Sequence, residues 1–187
     1  MMQKLDLEGA DMYLLNYPGP SEYVALRDSV TWEQKILNMY GKKISQPRMT
    51  AWYGDPGCSY SYSGIKNEPL PWCESVRQVK SKIEVLLNYS FNSALLNYYR
   101  NGNDSVGYHS DNEKELGEEP VIASVSFGAA RPFYLRSKAT NEKYDILLED
   151  CSILLMMGET QKNWVHAIPK IKEEDGRINL TFRNIII

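Results

Sequence analysis

The stretch Arg177-Ile178-Asn179-Leu180-Thr181-Phe182-Arg183 lies near the end of a 187-residue chain, and its polar and apolar residues alternate without a break. In a β-strand successive side chains point to opposite faces. Arg177, Asn179, Thr181 and Arg183 therefore share one face, and Ile178, Leu180 and Phe182 the other. Two arginines aimed into a core are costly unless an anion meets them. A dicarboxylate would meet them through bidentate pairing. The pattern alone fits equally an edge strand with a solvated polar face.

Working back from this strand, further β segments are expected at 94–99, 121–127, 132–136, 144–148, 152–157 and 164–168. Many short strands with turns between them predict a sandwich or jelly roll, a mainly β (α+β) fold, rather than an α/β sheet. The strongest helix is expected over 71–87. Pro71 is acceptable in its first turn, and Trp72, Val76, Val79, Ile83, Leu86 and Leu87 form an apolar stripe. A shorter helix over 21–29 would be capped by Ser21. Residues 35–44 read as a hairpin turning near Gly41, and Gly54-Asp55-Pro56-Gly57 as a turn between short aromatic strands. No internal repeat or linker is visible, so one domain over 1–187 is expected.

The chain contains only two histidines, His109 and His166. His109-Ser110-Asp111 puts an imidazole and a carboxylate on one side of a strand or its end. A second imidazole from a later strand would complete a facial triad, the ligand set of non-haem Fe(II) oxygenases with open positions for cosubstrate and O2. By itself the motif is weak, and such a pattern is far more often structural, here two histidines bonded to backbone carbonyls. The polar face of 177–183 is what favours the oxygenase reading.

Bulk properties add limits. The chain is 43% hydrophobic and 24% charged, enough for one packed core. No apolar run is long enough to span a membrane. The N-terminal residues lack the apolar core of a secretory signal, and a cytoplasmic location is expected, nuclear in a eukaryote. Cys58, Cys73 and Cys151 form no C-x-x-C pair and read as reduced thiols. A net charge of −3 does not advertise nucleic-acid binding, although phosphate contacts depend on local patches. Two local basic clusters stand out, Lys42, Lys43 and Arg48, and Arg131, Arg136 and Lys138. Nothing signals an oligomer, and a monomer is expected.

Several segments together resemble the AlkB family of Fe(II)/2-oxoglutarate-dependent nucleic-acid dealkylases, in particular its duplex-DNA-repair branch. They are 47–55 (PRMTAWYGD), 95–99 (LLNYY), 109–113 (HSDNE), 122–128 (IASVSFG), His166 and the 177–183 run. The resemblance implies a double-stranded β-helix over about 90–187, with helices on an outer face. It also implies an N-terminal extension with nucleotide-recognition hairpins over about 1–70. Iron would be held by His109, Asp111 and His166. Leu95, Asn97, Tyr99, Arg177, Asn179, Thr181 and Arg183 would surround 2-oxoglutarate, with Arg183, counted with the triad as catalytic, on the distal carboxylate. Arg177 and Asn179 would sit near the iron-chelating end.

The implied reaction uses Fe(II), 2-oxoglutarate and O2 to hydroxylate an N-alkyl carbon on a base, as in 1-methyladenine or 3-methylcytosine. Formaldehyde, succinate, CO2 and the repaired base are released. The implied partner is alkylated DNA, with RNA as the other candidate. A base inside a duplex must first be flipped out, at a cost of a few kcal/mol. Tyr60-Ser61-Tyr62 matches a segment that contacts substrate in the family. Met39-Tyr40-Gly41 matches a hairpin that wedges into the base stack, with Lys42 and Lys43 toward phosphate. Asn112 is expected at the base edge, and Glu113 against Arg131 or another group behind the site. The competing readings are a 2-oxoglutarate oxygenase for RNA, protein or a small molecule, and a non-enzymatic β-sandwich.

Overall fold

The computed structural model describes residues 2–39, 42–62, 65–172 and 175–186. β1 (Gln3–Lys4) and β2 (Asp11–Asn16) are followed by α1 (Tyr23–Ser29). The paired strands β3 (Ile36–Met39) and β4 (Lys42–Ser45) precede β5 (Met49–Gly54). A second short pair, β6 (Tyr60–Tyr62) and β7 (Ile65–Asn67), leads to α2 (Glu74–Leu87). β8 (Ser93–Tyr99), β9 (Val106–His109), β10 (Ile122–Gly128) and β11 (Arg131–Ser137) come next. β12 (Lys143–Leu148), β13 (Ser152–Met157), the single turn α3 (Thr160–Asn163), β14 (Trp164–Ile168) and β15 (Arg177–Arg183) complete the chain.

Seven strands form one sheet in the order β1-β2-β13-β10-β15-β8-β5, and four form another in the order β12-β11-β14-β9. Neighbours within each are antiparallel. This is the expected jelly roll, and the seven strands expected between 94 and 183 lie within one residue of their expected bounds, while β9 is additional to them.

The alternation in β15 sorts the molecule into layers. Ile178, Leu180 and Phe182 join Ala123, Val125 and Phe127 of β10 and Ile153 and Leu155 of β13 against the helices, where Val76, Val79 and Ile83 of α2 are fully buried. Burying each such side chain is worth about 1.5–3 kcal/mol. The opposite face of the large sheet meets the small one across Met12, Ile122, Leu154, Met156, Phe133 and Ile168. The polar residues of β15 point into this inner layer. β15 is central and all seven of its residues are buried, so the edge-strand alternative does not hold.

The helices start later than expected. α2 begins at Glu74, with Cys73 at its N-cap, and Trp72 lies before it, where its indole N–H donates to Asp55 Oδ1 at 2.6 Å. Leu86, placed on the apolar stripe, is 43% exposed, because the buried face is fixed by Val76, Val79 and Ile83. Ser21 does not cap α1. Glu22 holds that position, and the Ser21 hydroxyl donates instead to Asp150 Oδ1 at 2.7 Å.

Candidate active site

β9 ends at His109 on the edge of the small sheet, and its neighbour β14 carries His166 directly opposite, a cross-strand pair in register. The two rings stand 4.4 Å apart between centroids. Asp111 lies two residues past His109, beyond the end of the strand and buried. One donor atom from each of His109, Asp111 and His166 lies within 4.8 Å of the others. That spacing suits three ligands on one face of a single ion.

The protonation states suit a metal too. His109 Nδ1 lies 2.8 Å from the Gly107 carbonyl, so its N–H donates there and leaves Nε2 as a lone pair facing Asp111 Oδ1 at 3.8 Å. Burial and then the neighbouring His109 push the His166 pKa down to about 3, which keeps that imidazole neutral. Phe133 stacks on it, 5.0 Å away and 19° from parallel. Burial opposes ionisation of Asp111, but the positive charge of Arg183, followed by the two histidines, holds its pKa below the ordinary carboxylate value.

The same cavity is lined by Leu95, Asn97, Tyr99, Asn179, Thr181 and both arginines of β15, so the strand pattern and the triad meet in one place. Asn97 and Asn179 are register partners, as are Tyr99 and Arg177. Thr181 donates its hydroxyl to Asn179 Oδ1 at 2.9 Å, and Asn179 donates to Ser124 Oγ at 2.8 Å and to the Val125 carbonyl at 3.0 Å. This network freezes the Asn179 amide.

The ends of the clamp are reversed from expectation. Arg183 Nη2 lies 3.0 Å from Asp111 Oδ2, which places it at the iron-ligand end and not at the far end. Arg177 sits six residues away along the strand, about 20 Å between backbones. Its guanidinium lies against Tyr99, 5.3 Å from the ring centroid, and donates through Nη2 to Ser126 Oγ at 2.8 Å. Arg177 Nε and Nη1 are buried and find no protein partner among the described residues. A buried guanidinium with unmet donors on two of its nitrogens calls for an anionic ligand such as a carboxylate. Burial pushes the Arg177 pKa down to about 10, so it remains a cation at neutral pH.

One arginine of each basic cluster turns inward. Arg48 is buried, donates through Nε to Asn97 Oδ1 at 2.7 Å and lines the cavity. Arg131 is fully buried. It too lies over the Tyr99 ring, 5.4 Å from the centroid, and donates to the carbonyls of Asn101, Asp104 and Pro169 at 3.3, 2.9 and 2.6 Å. Sequence separation hid Arg48, although it lies on the strand side of the Pro47-to-Asp55 segment that carried part of the resemblance. Asn112 is exposed and lines an outer groove with Lys138 and Gln161, next to the cavity rather than within it. Glu113 stands at the N-cap of the 3-10 turn Lys114–Leu116. Tyr40 and Gly41 lie outside the described residues, as do the side chains of Met39, Tyr60, Ser61 and Tyr62. The backbones of Met39 and of Tyr60–Tyr62 end β3 and form β6.

Comparison with known proteins agrees with this geometry. The sequence profile of the 2OG-Fe(II) oxygenase superfamily matches residues 21–183. The chain belongs to the 2OG-Fe(II) oxygenase superfamily. Its human relative, alpha-ketoglutarate-dependent dioxygenase alkB homolog 3, is 42% identical over 171 residues, 86% of this chain and 59% of that protein. The cattle DNA oxidative demethylase ALKBH2 is 37% identical over 159 residues, 80% of this chain and 57% of that protein. The chain thus spans little more than half the length of either relative. The solved structure of OsALKBH1 superposes with a TM-score of 0.67 at 17% identity, over 98% of this chain and all of that one. The AlkB-like character read from the motifs holds. As in other members of this superfamily, the site is one for Fe(II), 2-oxoglutarate and O2.

Proposed function

We propose that this 2OG-Fe(II) oxygenase oxidatively removes N-alkyl groups from nucleobases, with alkylated DNA as substrate. The observation that carries the oxygenase part is the cavity itself. A His-Asp-His cluster stands at one end and a buried guanidinium with unmet donors on Nε and Nη1 lines the other. The nucleobase part is supported by relatives named as an alkB homolog and a DNA oxidative demethylase.

Fe(II) held by His109, Asp111 and His166 would supply, with 2-oxoglutarate and O2, the oxidation of a substrate C–H bond. The chain's own residues divide the remaining work. Arg177 takes the distal carboxylate of 2-oxoglutarate on its free N–H groups, with Tyr99 alongside. Asn97 and Asn179 line the middle, held in place by Arg48 and Ser124. Arg183 offsets the charge of Asp111 and of the carboxylate end nearest the metal. Phe133 and Met156 keep the His166 side apolar and exclude water. A hydroxylated N-methyl group then leaves as formaldehyde and restores the base. Tyr40 as a base-stack wedge, Tyr60 and Tyr62 as stacking platforms and Asn112 at the base edge complete the proposal on the nucleic-acid side. Its outer position suits Asn112 to a group entering from outside.

The test is formaldehyde release from 1-methyladenine and 3-methylcytosine in single-stranded DNA, duplex DNA and RNA, with 2-oxoglutarate turnover followed in parallel. Release from DNA is expected. Turnover of 2-oxoglutarate with no aldehyde from any nucleic acid would move the substrate to another class.

A further inference from the structure

Asp111 is the one triad member outside a strand, so no ladder hydrogen bond fixes it. What holds its backbone is Gln161. The Asp111 N–H donates to Gln161 Oε1 at 2.9 Å, and Gln161 Nε2 faces the Met156 sulfur at 3.4 Å. Gln161 is 2% exposed, so its amide has no freedom to exchange with water. Its own backbone is gripped in turn. The Lys138 ammonium donates to the Gln161 carbonyl at 2.8 Å and to Ser110 Oγ at 3.1 Å, touching the turn α3 and the residue before Asp111 at once. Neighbouring Thr160 anchors the same turn elsewhere, accepting the Asp11 N–H at 2.9 Å. α3 runs directly into β14, which carries His166 five residues after Gln161.

We propose that Gln161 is a positioning residue for the metal site: its side chain clamps the backbone of Asp111 to the turn that launches His166, so that a ligand from a loop and a ligand from a strand are held at one spacing before any ion arrives. The inference rests on the triad reading above and deepens it. Pre-organisation is needed because the Asp111 carboxylate is drawn to Arg183 as well as to the histidines. Outer groups that orient ligands typically contribute about 10–100-fold in metal affinity. Lys138 supports the clamp from the surface side.

The experiment is anaerobic Mn(II) titration of the full chain, with the melting temperature of the metal-free form recorded for each variant. Gln161→Met keeps the volume and removes the acceptor. A loss of Mn(II) affinity of about tenfold or more is expected. Thr160→Val is the control, since it loosens the same turn without touching Asp111. It is expected to lower the melting temperature while leaving Mn(II) affinity within about twofold. Equal affinity losses in the two variants, or none in Gln161→Met, would overturn the clamp. Should Gln161→Met fail to fold, Lys138→Met is read by the same criterion. A wild-type chain that binds no Mn(II), and is indifferent to His109→Ala, would instead refute the metal centre itself.

Discussion

Arg177 and Arg183 share one face of one strand and are buried alike, at 1% and 2% exposure, yet they stand in different chemistry. Arg183 already has an anion, the Asp111 carboxylate. Arg177 has a tyrosine ring and one serine hydroxyl, and its Nε and Nη1 nitrogens remain unmet by protein among the described residues. One arginine is paired within the protein's own site, and the other keeps unmet donors among the described residues, as the proposed 2-oxoglutarate contact requires. Residue type and facing therefore do not assign a role inside a cavity. The neighbours at each level of the strand do.

The contrast is open to direct attack. The largest effect is expected from Arg183→Met, which leaves Asp111 buried without its closest cation. Breaking a buried pair from one side costs about 3–5 kcal/mol. Urea unfolding of the metal-free chain measures it, and a change under 1 kcal/mol would refute the pairing. Arg177→Met should act in the opposite sense on the ligand-free chain. Removing a charge with orphaned N–H groups is expected to leave stability unchanged or to raise it. The stabilisation by added 2-oxoglutarate should disappear, with the half-saturating concentration rising at least about thirtyfold, as for truncating one partner of a buried charge pair. If Arg183→Met abolished the 2-oxoglutarate response while Arg177→Met preserved it, the assigned polarity of the clamp would be wrong.

A middle-sized effect concerns pH. His166 has its folded pKa depressed to about 3 from 6.5, so the unfolded chain binds the proton first. Stability is complete above the unfolded value and falls as pH drops through the interval between the two. From pH 7 to 5 the metal-free chain should lose about 2 kcal/mol on this account. Asp111, also depressed, loses its contribution only below the ordinary carboxylate range. Thermal melts at pH 7 and 5 check this, and His166→Gln should flatten the difference. The smallest effect is expected for Ser126→Ala, which removes the acceptor of Arg177 Nη2. About 1 kcal/mol of destabilisation, the low end of the cost of an unmet buried donor, is expected without ligand, again by urea unfolding. A fully neutral substitution would show that the guanidinium finds another partner.

Much of the molecule was legible in one dimension. The alternation of β15 is plain in the sequence, and the scarcity of histidine left His109 and His166 as the only imidazole ligands available. Arg48 and Arg131 were misread for a common reason. Clustering along the chain reads as a basic surface patch, whereas each guanidinium is drawn inward by carbonyl or amide acceptors that lie far away in sequence. Gln161 gave no signal at all, because its role depends on Asp111, 50 residues away. The late start of α2 was hidden because Trp72 carries the right periodicity but spends its indole N–H on Asp55.

The sequence by itself determined which residues of β15 face inward, because alternation is a local property of an extended backbone. It also offered all three side chains of the His-Asp-His cluster. The tertiary structure alone decided which end of that strand meets the metal. That choice depends on the register of β15 with β8 and β10, and on which loop of the second sheet is folded over each level. Such contacts join residues far apart in the chain. Local pattern cannot encode them, because a strand presents the same face whichever end its partner approaches.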